Sequence, residues 1–530
     1  MSQVEAIRVK NLRALQDTGF IALKQITLLV GRNSVGKSTF ARVFPLLRQS
    51  VEENRRAPLL WWGKYVDFGS FDEALSRGAN DKAVSVAFKI AIPKTDDERP
   101  SYAERPLLCE DGVCEIEVSI EKDGGNTYLS KVVISIFDLS CEIAIGADQR
   151  VQRIQSGTDV WEPSADVTCI VDGGEVVPNL MFFRTAKDSN GALSYRWIEP
   201  LKARLAQHVS HYAHGNTTQT KLNQIANAIP IGSPESTLRV IRGIRGSQTW
   251  VRSVKEFSVT GYPVRKLRTL ALLAQLPALL SFANEQVKNY SKGVRYLEPL
   301  RATAQRYYRP QELSVDEIDS KGGNIAIFFN SLSTEDLKDL NEWMSKYLGL
   351  RVIPEKSGGH ISLKVALENS SQQVNIADMG FGISQVLPIA AQMWSAARSA
   401  ENAPYAIATA ASCIVIEQPE LHLHPAFQAR LADLFVALFE TENEEGDGVG
   451  QRQRVISAAP RIVAETHSSS LVNRLGELVA DGRIKKDEVQ VVMFNQAGPD
   501  DPVTVHVSEF DSDGVLQNWP FGFFASGFTE

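Results

Sequence analysis

Gly31-Arg32-Asn33-Ser34-Val35-Gly36-Lys37-Ser38, followed by Thr39, stands between the apolar run Ile26 to Val30 and a stretch with helical patterning. Glycines at the two ends of such a loop let backbone N–H groups turn toward phosphate oxygens. A lysine at the sixth step reaches the β and γ phosphates, and the next hydroxyl can ligate magnesium. The octet predicts a phosphate-binding loop for ATP with Mg2+, in which Lys37 and Ser38 carry the chemistry. Far downstream, Ile414-Val415-Ile416 runs into Glu417-Gln418-Pro419-Glu420. An acid at the end of a buried strand is where a second magnesium-directed group belongs, and Glu417 is the candidate. A third polar cluster follows another apolar strand in Arg461-Ile462-Val463-Ala464-Glu465-Thr466-His467-Ser468. Open parallel sheets bind ligands at their carboxyl edges, so these strand ends can share one site with the loop. A fourth element, Asn375 to Gln385, places Gly380, Gly382 and Ser384 just before a helix starting near Gln385. A turn of that kind offers free N–H groups to a second phosphate contact.

These residues need a scaffold. Residues 4 to 30 read as two strands, and the second stops at Gly31. Pro45 falls inside the helix that follows the loop, and its missing N–H predicts a kink or an early end. From about 84 to 200, β-branched runs such as VSVAFKIAI and LSKVVISIF alternate with the turn signals KDGGN and VDGGE. They predict an antiparallel β segment. The pattern from 201 to 290 is helical, with Leu267 to Phe282 its most apolar part. Beyond 291, strands and helices alternate as in a parallel sheet buried on both faces. The acidic stretch 441–450 reads as a solvated loop.

The chain has 530 residues, 43% hydrophobic and 22% charged, with 56 basic against 63 acidic side chains and a net charge of −7. That composition excludes a mainly disordered, collagenous or coiled-coil protein and implies several structural units. It also confines any nucleic-acid contact to a local patch. The best one spans 237–268, where Arg239, Arg242, Arg245, Arg252, Lys255, Arg265, Lys266 and Arg268 are interleaved with Trp250, Phe257 and Tyr262. Cations and aromatic rings in that mixture suit phosphate contact and base stacking, although a protein-docking face has the same composition. Five cysteines without CxxC spacing, and an N-terminus without a signal-type apolar run, predict a reducing, cytoplasmic setting and no membrane. Leu267 to Phe282 is interrupted by Arg268 and Pro277 and reads as a buried helix rather than a span. His208, His211 and His214 are spaced by three, which spreads them around a helix and argues against a zinc site.

The order of phosphate loop, GFGxSQ, IVIEQPELHLHP and ETHSSSL resembles the ATP-binding-cassette heads of the SMC, recombination and OLD-type ATPases. More narrowly it resembles the Septu-type (PtuA) bacterial defence ATPases and their retron-associated relatives. Asp67 to Asp72, Tyr296 to Arg301 with Arg306 to Tyr308, and the tail from Trp519 to Phe524 support the match. The resemblance implies an α/β fold: a bipartite ATPase head, a mixed sheet with flanking helices, carrying an antiparallel β arm and a helical insertion. The divisions it suggests are 1–95, 96–200, 201–290 and 291–530. It also implies an ATP site shared between two heads, in which Gly382 and Ser384 of one chain face the γ-phosphate held by the other. Glu417 then takes the magnesium-associated position, His467 the γ-phosphate-sensing one, and His422 and His424 lie in a loop that contacts the second subunit. In this pattern a glutamate usually follows the acid of the strand end, whereas here Gln418 stands. Glutamine can orient water but cannot take its proton, so hydrolysis is expected to be slow; a natural glutamine and an engineered Glu-to-Gln change both fit. Only 63 residues follow His467, too few for an appended nuclease. The implied partners are a second copy of the chain, a separate HNH nuclease and, in retron settings, a reverse transcriptase with its RNA–DNA product.

Overall fold

The computed structural model describes residues 4–79, 81–95, 105–187, 193–311, 315, 317–367, 372–402, 411–440, 459–498 and 501–519. The acidic stretch 441–450 and tail residues 520–524 lie outside them.

Short alternating runs at the N-terminus assemble with the β-branched segment into one antiparallel sheet. Its strands are β1 (Val4–Leu12), β2 (Leu15–Asp17), β3 (Ile21–Ala22), β5 (Val84–Ile92), β6 (Gly112–Asp123), β7 (Asn126–Ile136), β8 (Leu139–Ile145), β9 (Val151–Ser156) and β10 (Asp159–Trp161). The order is β10-β9-β8-β7-β6-β5-β1-β2, with β3 also on β1. The KDGGN signal closes β6 on β7, pairing Asp123 with Asn126 across a two-glycine loop in which Gly124 has φ 59. Positive φ at such a position is what glycine supplies in a tight hairpin. The expected division at 95 falls between β5 and β6, yet these strands pair from Val84↔Ile120 to Ile92↔Gly112. The β-rich segment is thus continuous in one sheet with β1. Residues 4–30 form four strands where two were expected: β1, β2 and β3 join this sheet, and the fourth, β4 (Ile26–Gly31), joins another.

That second sheet contains β4 (Ile26–Gly31), β14 (Val294–Leu297), β18 (Cys413–Glu417), β19 (Arg461–Glu465), β20 (Val489–Asn495) and β21 (Thr504–Ser508). The order is β14-β18-β19-β4-β20-β21, parallel from β14 to β20, with β21 antiparallel at the edge. Burial on both faces follows from the period of two. Ile26, Leu28, Val30, Ile414, Ile416, Ile462 and Ala464 face one core, while Leu29, Cys413, Val415 and Val463 face the other. The sheet therefore lies between two apolar cores.

The first core receives α1 (Lys37–Ala41), α2 (Val43–Glu52), α3 (Phe71–Ala74), the small sheet β11 (Val167–Val171), β12 (Leu180–Lys187) and β13 (Leu193–Trp197), and the helices α4 (Pro200–Ser210), α5 (Gln219–Asn227), α6 (Pro234–Gly243), α7 (Gln248–Glu256) and α8 (Tyr262–Lys292). α8 is long and apolar enough to cross a membrane, more so than the interrupted sequence suggests, but 72% of its most apolar window is buried in the protein. The second core is closed by α9 (Ile325–Ser331), α10 (Thr334–Leu348), the hairpin sheet β15 (Leu350–Ser357), β16 (His360–Leu367) and β17 (Gln373–Asn375), α11 (Phe381–Asn402), α12 (Pro425–Ala437) and α13 (Ser469–Ala480). The architecture is α/β with mixed sheets and flanking helices.

Candidate functional site

β4 ends at Gly31, whose φ is 151 and whose Cα faces the Phe494 carbonyl so closely that a Cβ would lie 2.4 Å from that oxygen. Gly36 has φ 99, and a Cβ there would meet Leu15 Cδ2 at 2.5 Å. Both ends of the loop therefore require glycine, for conformation and for space. Between them Arg32, Asn33 and Ser34 are exposed, Ser34 at φ 65, while Val35 is buried under the loop. Lys37 folds inward with its side chain 3% exposed; Nζ donates to the Arg32 carbonyl at 2.6 Å and lies 3.8 Å from Glu465 Oε1. Burial lowers the Lys37 pKa, opposed by the charges of Glu465 and Glu420. Ser38 and Thr39 are both half-buried, and Ser38 lies near enough to Glu465 to oppose the rise of its pKa. The helix pauses at Arg42, so Pro45 becomes the third residue of α2, where its absent N–H leaves no bond unmade.

At the ends of the neighbouring strands, Glu417 and Glu465 are register partners across β18 and β19. They are 1% and 2% exposed. Glu417 is fully engaged: Arg42 Nε and Nη2 donate to its two oxygens at 2.8 Å each, and the Tyr296 hydroxyl donates at 2.6 Å. Hydrogen bonding to Glu417 holds the Arg42 pKa above its usual value. Glu465 is differently placed, with Oε2 buried and without a hydrogen-bond partner. Burial raises its pKa, helped by Glu417 and opposed by Ser38, Lys37 and Arg42.

The chain leaves β18 through Gln418, a non-glycine residue at φ 45 whose N–H donates to the Glu465 carbonyl at 2.9 Å. Left-handed backbone at such a residue is sparsely populated and clusters at functional turns. Two residues on, Glu420 Oε1 accepts the His467 N–H at 2.6 Å, while Oε2 is buried without a partner. The His467 ring is exposed, and partial enclosure together with the Lys37 charge lowers its pKa.

The glycine turn is more inward than its sequence suggests. Gly380, at φ 76, leads into α11. Gly382 packs against the His422 carbonyl, which a Cβ would approach to 3.2 Å. Ser384 is buried and donates to the Phe381 carbonyl at 2.8 Å. Gln385, also buried, brackets Arg301: it accepts from the Arg301 N–H and donates to the Arg301 carbonyl, both at 3.3 Å. The buried Arg301 guanidinium donates to the Glu417 carbonyl at 3.2 Å, and burial pushes its pKa down to about 10. α11 is thereby tied to the end of β18. His422 and His424 are exposed in the intervening loop, with the Phe381 and His422 rings 5.8 Å apart.

The structure thus gathers Lys37, Ser38, Glu417, Gln418 and His467 along one sheet edge and sets Gly382, Ser384 and Gln385 behind it. Glu465, Glu420 and Arg42 are residues at this edge that motif reading did not single out, and Tyr296 and Arg301 entered it only as support for the match. Glu465 carried the same signal as Glu417, an acid closing an apolar strand; Arg42 pairs across 375 positions and left none.

A model described as AAA ATPase domain matches residues 302–472. The match takes in α11, the end of β18 and His467, and leaves the phosphate-binding loop outside. No curated protein matches the chain. Among solved structures, a crystal structure of an SmcHead bound to the C-winged helix domain of ScpA aligns at 12% identity and TM-score 0.35, covering 96% of this chain and 98% of that one. The Smc head with extended coiled coil bound to the C-terminal domain of ScpA from Pyrococcus furiosus aligns at 11% and 0.32, with 96% of each chain covered. The SMC head from Thermotoga maritima aligns at 8% and 0.33, covering 96% and 99%. Likenesses this remote carry no inference about the chemistry of the site.

The basic patch needs correction. Trp250 and Phe257 are buried, 0% and 8% exposed, and offer no stacking face. Arg268 is 2% exposed and bonded to Asp138 and the Gly232 carbonyl, while Lys266 pairs with Asp159 at 2.5 Å. Arg239, Arg242, Arg245, Arg252, Lys255, Arg265 and Tyr262 remain exposed.

Proposed function

We propose that this chain is an ATP-binding, slowly hydrolysing regulator that works as a homodimer and controls a separately encoded HNH nuclease in antiphage defence. The observation that carries the nucleotide reading is the convergence of Lys37 and Ser38 with two buried strand-end carboxylates and the His467 loop at the carboxyl edge of a parallel sheet. ATP and Mg2+ fit this donor set, because an inward lysine, a hydroxyl and an unpartnered buried carboxylate oxygen meet there. The loop backbone and Lys37 would hold the β and γ phosphates, and Ser38 with a strand-end acid, Glu417 by motif, would hold the cation. Bound Mg2+ neutralises charge on the phosphoryl group being transferred. Gln418 orients water without accepting its proton, which makes the closed state long-lived.

Dimerisation through the α11 face is supported by exposed apolar side chains beside it, Leu300 at 71% and Phe381 at 59%. Gly382 and Ser384 would then meet the partner's nucleotide after the Ser384 hydroxyl turns from its own helix. The nuclease partner, and a reverse transcriptase with its RNA–DNA product, rest on motif resemblance. Affinity purification of the chain from its own operon with Mg2+ and ATP, followed by mass spectrometry, tests them: a stoichiometric nuclease is the expected result, and a bare dimer contradicts it.

The exposed cations of α6, α7 and the start of α8 favour one second reading, a repair-type ATPase acting on DNA directly. It requires DNA-stimulated hydrolysis without another protein. Arg239→Glu with Arg245→Glu should then weaken DNA binding and lower the salt slope by about 1 per lost phosphate contact.

A further inference from the structure

We infer that Glu465, rather than Glu417 alone, supplies the protein carboxylate of the divalent-cation site. The inference rests on the nucleotide reading above. In the sheet order β18-β19-β4, Glu465 ends the strand adjacent to the phosphate-binding loop, whereas Glu417 ends the next strand out. Neighbouring strands are about 4.8 Å apart, so Glu417 starts one strand further from Ser38. The side-chain contacts follow that order. Lys37 Nζ lies 3.8 Å from Glu465 Oε1, and Ser38 is near enough to Glu465 to oppose the rise of its pKa.

Availability separates the two acids more sharply. Glu417 has both oxygens covered by Arg42 and one also by Tyr296. Freeing it for a cation would strand an arginine whose charge it neutralises. Glu465 has no such cover: Oε2 is buried without a partner in a side chain 2% exposed. A buried carboxylate oxygen left unbonded carries a desolvation cost that a hard cation, with its preference for oxygen ligands, would relieve. Arg42 and Tyr296 then hold Glu417 as a fixed counter-charge behind the site, and Glu465 with Ser38 faces the cation.

The test uses the full chain, Mn2+ as the probe and a non-hydrolysable ATP analogue, with bound Mn2+ followed by electron paramagnetic resonance. Glu465→Gln should weaken Mn2+ in the ternary complex by about 10- to 100-fold, more than Glu417→Gln does. Its affinity for the analogue without metal should persist, which also shows that the variant is folded. Should Glu465→Gln not fold, Glu465→Asp carries the same comparison against Glu417→Asp, since each keeps the charge and withdraws it by one methylene. Wild-type Mn2+ affinity in the 465 variants, or a loss confined to the 417 variants, overturns the inference and leaves the nucleotide reading standing. Failure of the wild-type chain to bind the analogue at all overturns both.

Discussion

Arg42 and Glu417 form a two-pronged ion pair at the sheet edge, with the acid side chain 2% and the arginine 32% exposed. Removing the arginine leaves a buried carboxylate with Tyr296 as its remaining side-chain donor. Arg42→Ala is therefore expected to cost about 3 kcal/mol in urea unfolding, and a loss under about 0.5 kcal/mol would show that solvent replaces the guanidinium freely. Gln418 makes a kinetic statement. Gln418→Glu supplies a group able to take a proton from water at the same left-handed turn, and steady-state ATP hydrolysis should rise about 100-fold or more. Unchanged turnover would place the slow step elsewhere. The placement of Lys37, Ser38, Glu417 and His467 along one sheet edge was legible because each sits in a short motif that follows an apolar strand. The cover over Glu417 was not, since neither Arg42 nor Tyr296 announces a partner more than a hundred positions away.

Elements explain why the basic segment reads differently in sequence and in space. Trp250, Val254 and Phe257 recur at helical spacing, the signal of a buried face, and all three are buried. Arg268 was misassigned for another reason: its acid, Asp138, is 130 positions away in the β7–β8 turn. This pair fastens α8 to the antiparallel sheet and brings a pH dependence. Bonding to Arg268 holds the Asp138 pKa below its usual value. The carboxylate thus binds fewer protons in the folded state, so its stabilisation is present above about pH 4 and disappears as the pH falls through the depressed value. Asp138→Asn should cost about 1–2 kcal/mol at pH 7, a modest figure because the acid is open to solvent, and the gap to wild type should close in strong acid. A gap independent of pH would mean that the aspartate acts through packing alone.

Across the whole molecule, the six-stranded sheet joins two cores whose residues come from both ends of the chain. The uninterrupted apolar runs of β18 and β19, buried on both faces, were readable as a parallel sheet. The junction of β1 and β5 with β6 was not, because antiparallel pairing leaves no mark at a boundary chosen from composition. This arrangement holds the glycine loop Gly31–Ser38 beside acids contributed from more than 370 positions away, so the proposed nucleotide site requires the assembled fold. Equilibrium titration of fluorescent ATP into the full chain, with and without Mg2+, tests that claim most directly. Saturable binding that Mg2+ tightens, and that Lys37→Ala lowers by at least about tenfold while the fold is retained, is the expected result. Binding of equal strength in Lys37→Ala, or none in the wild-type chain, would contradict it.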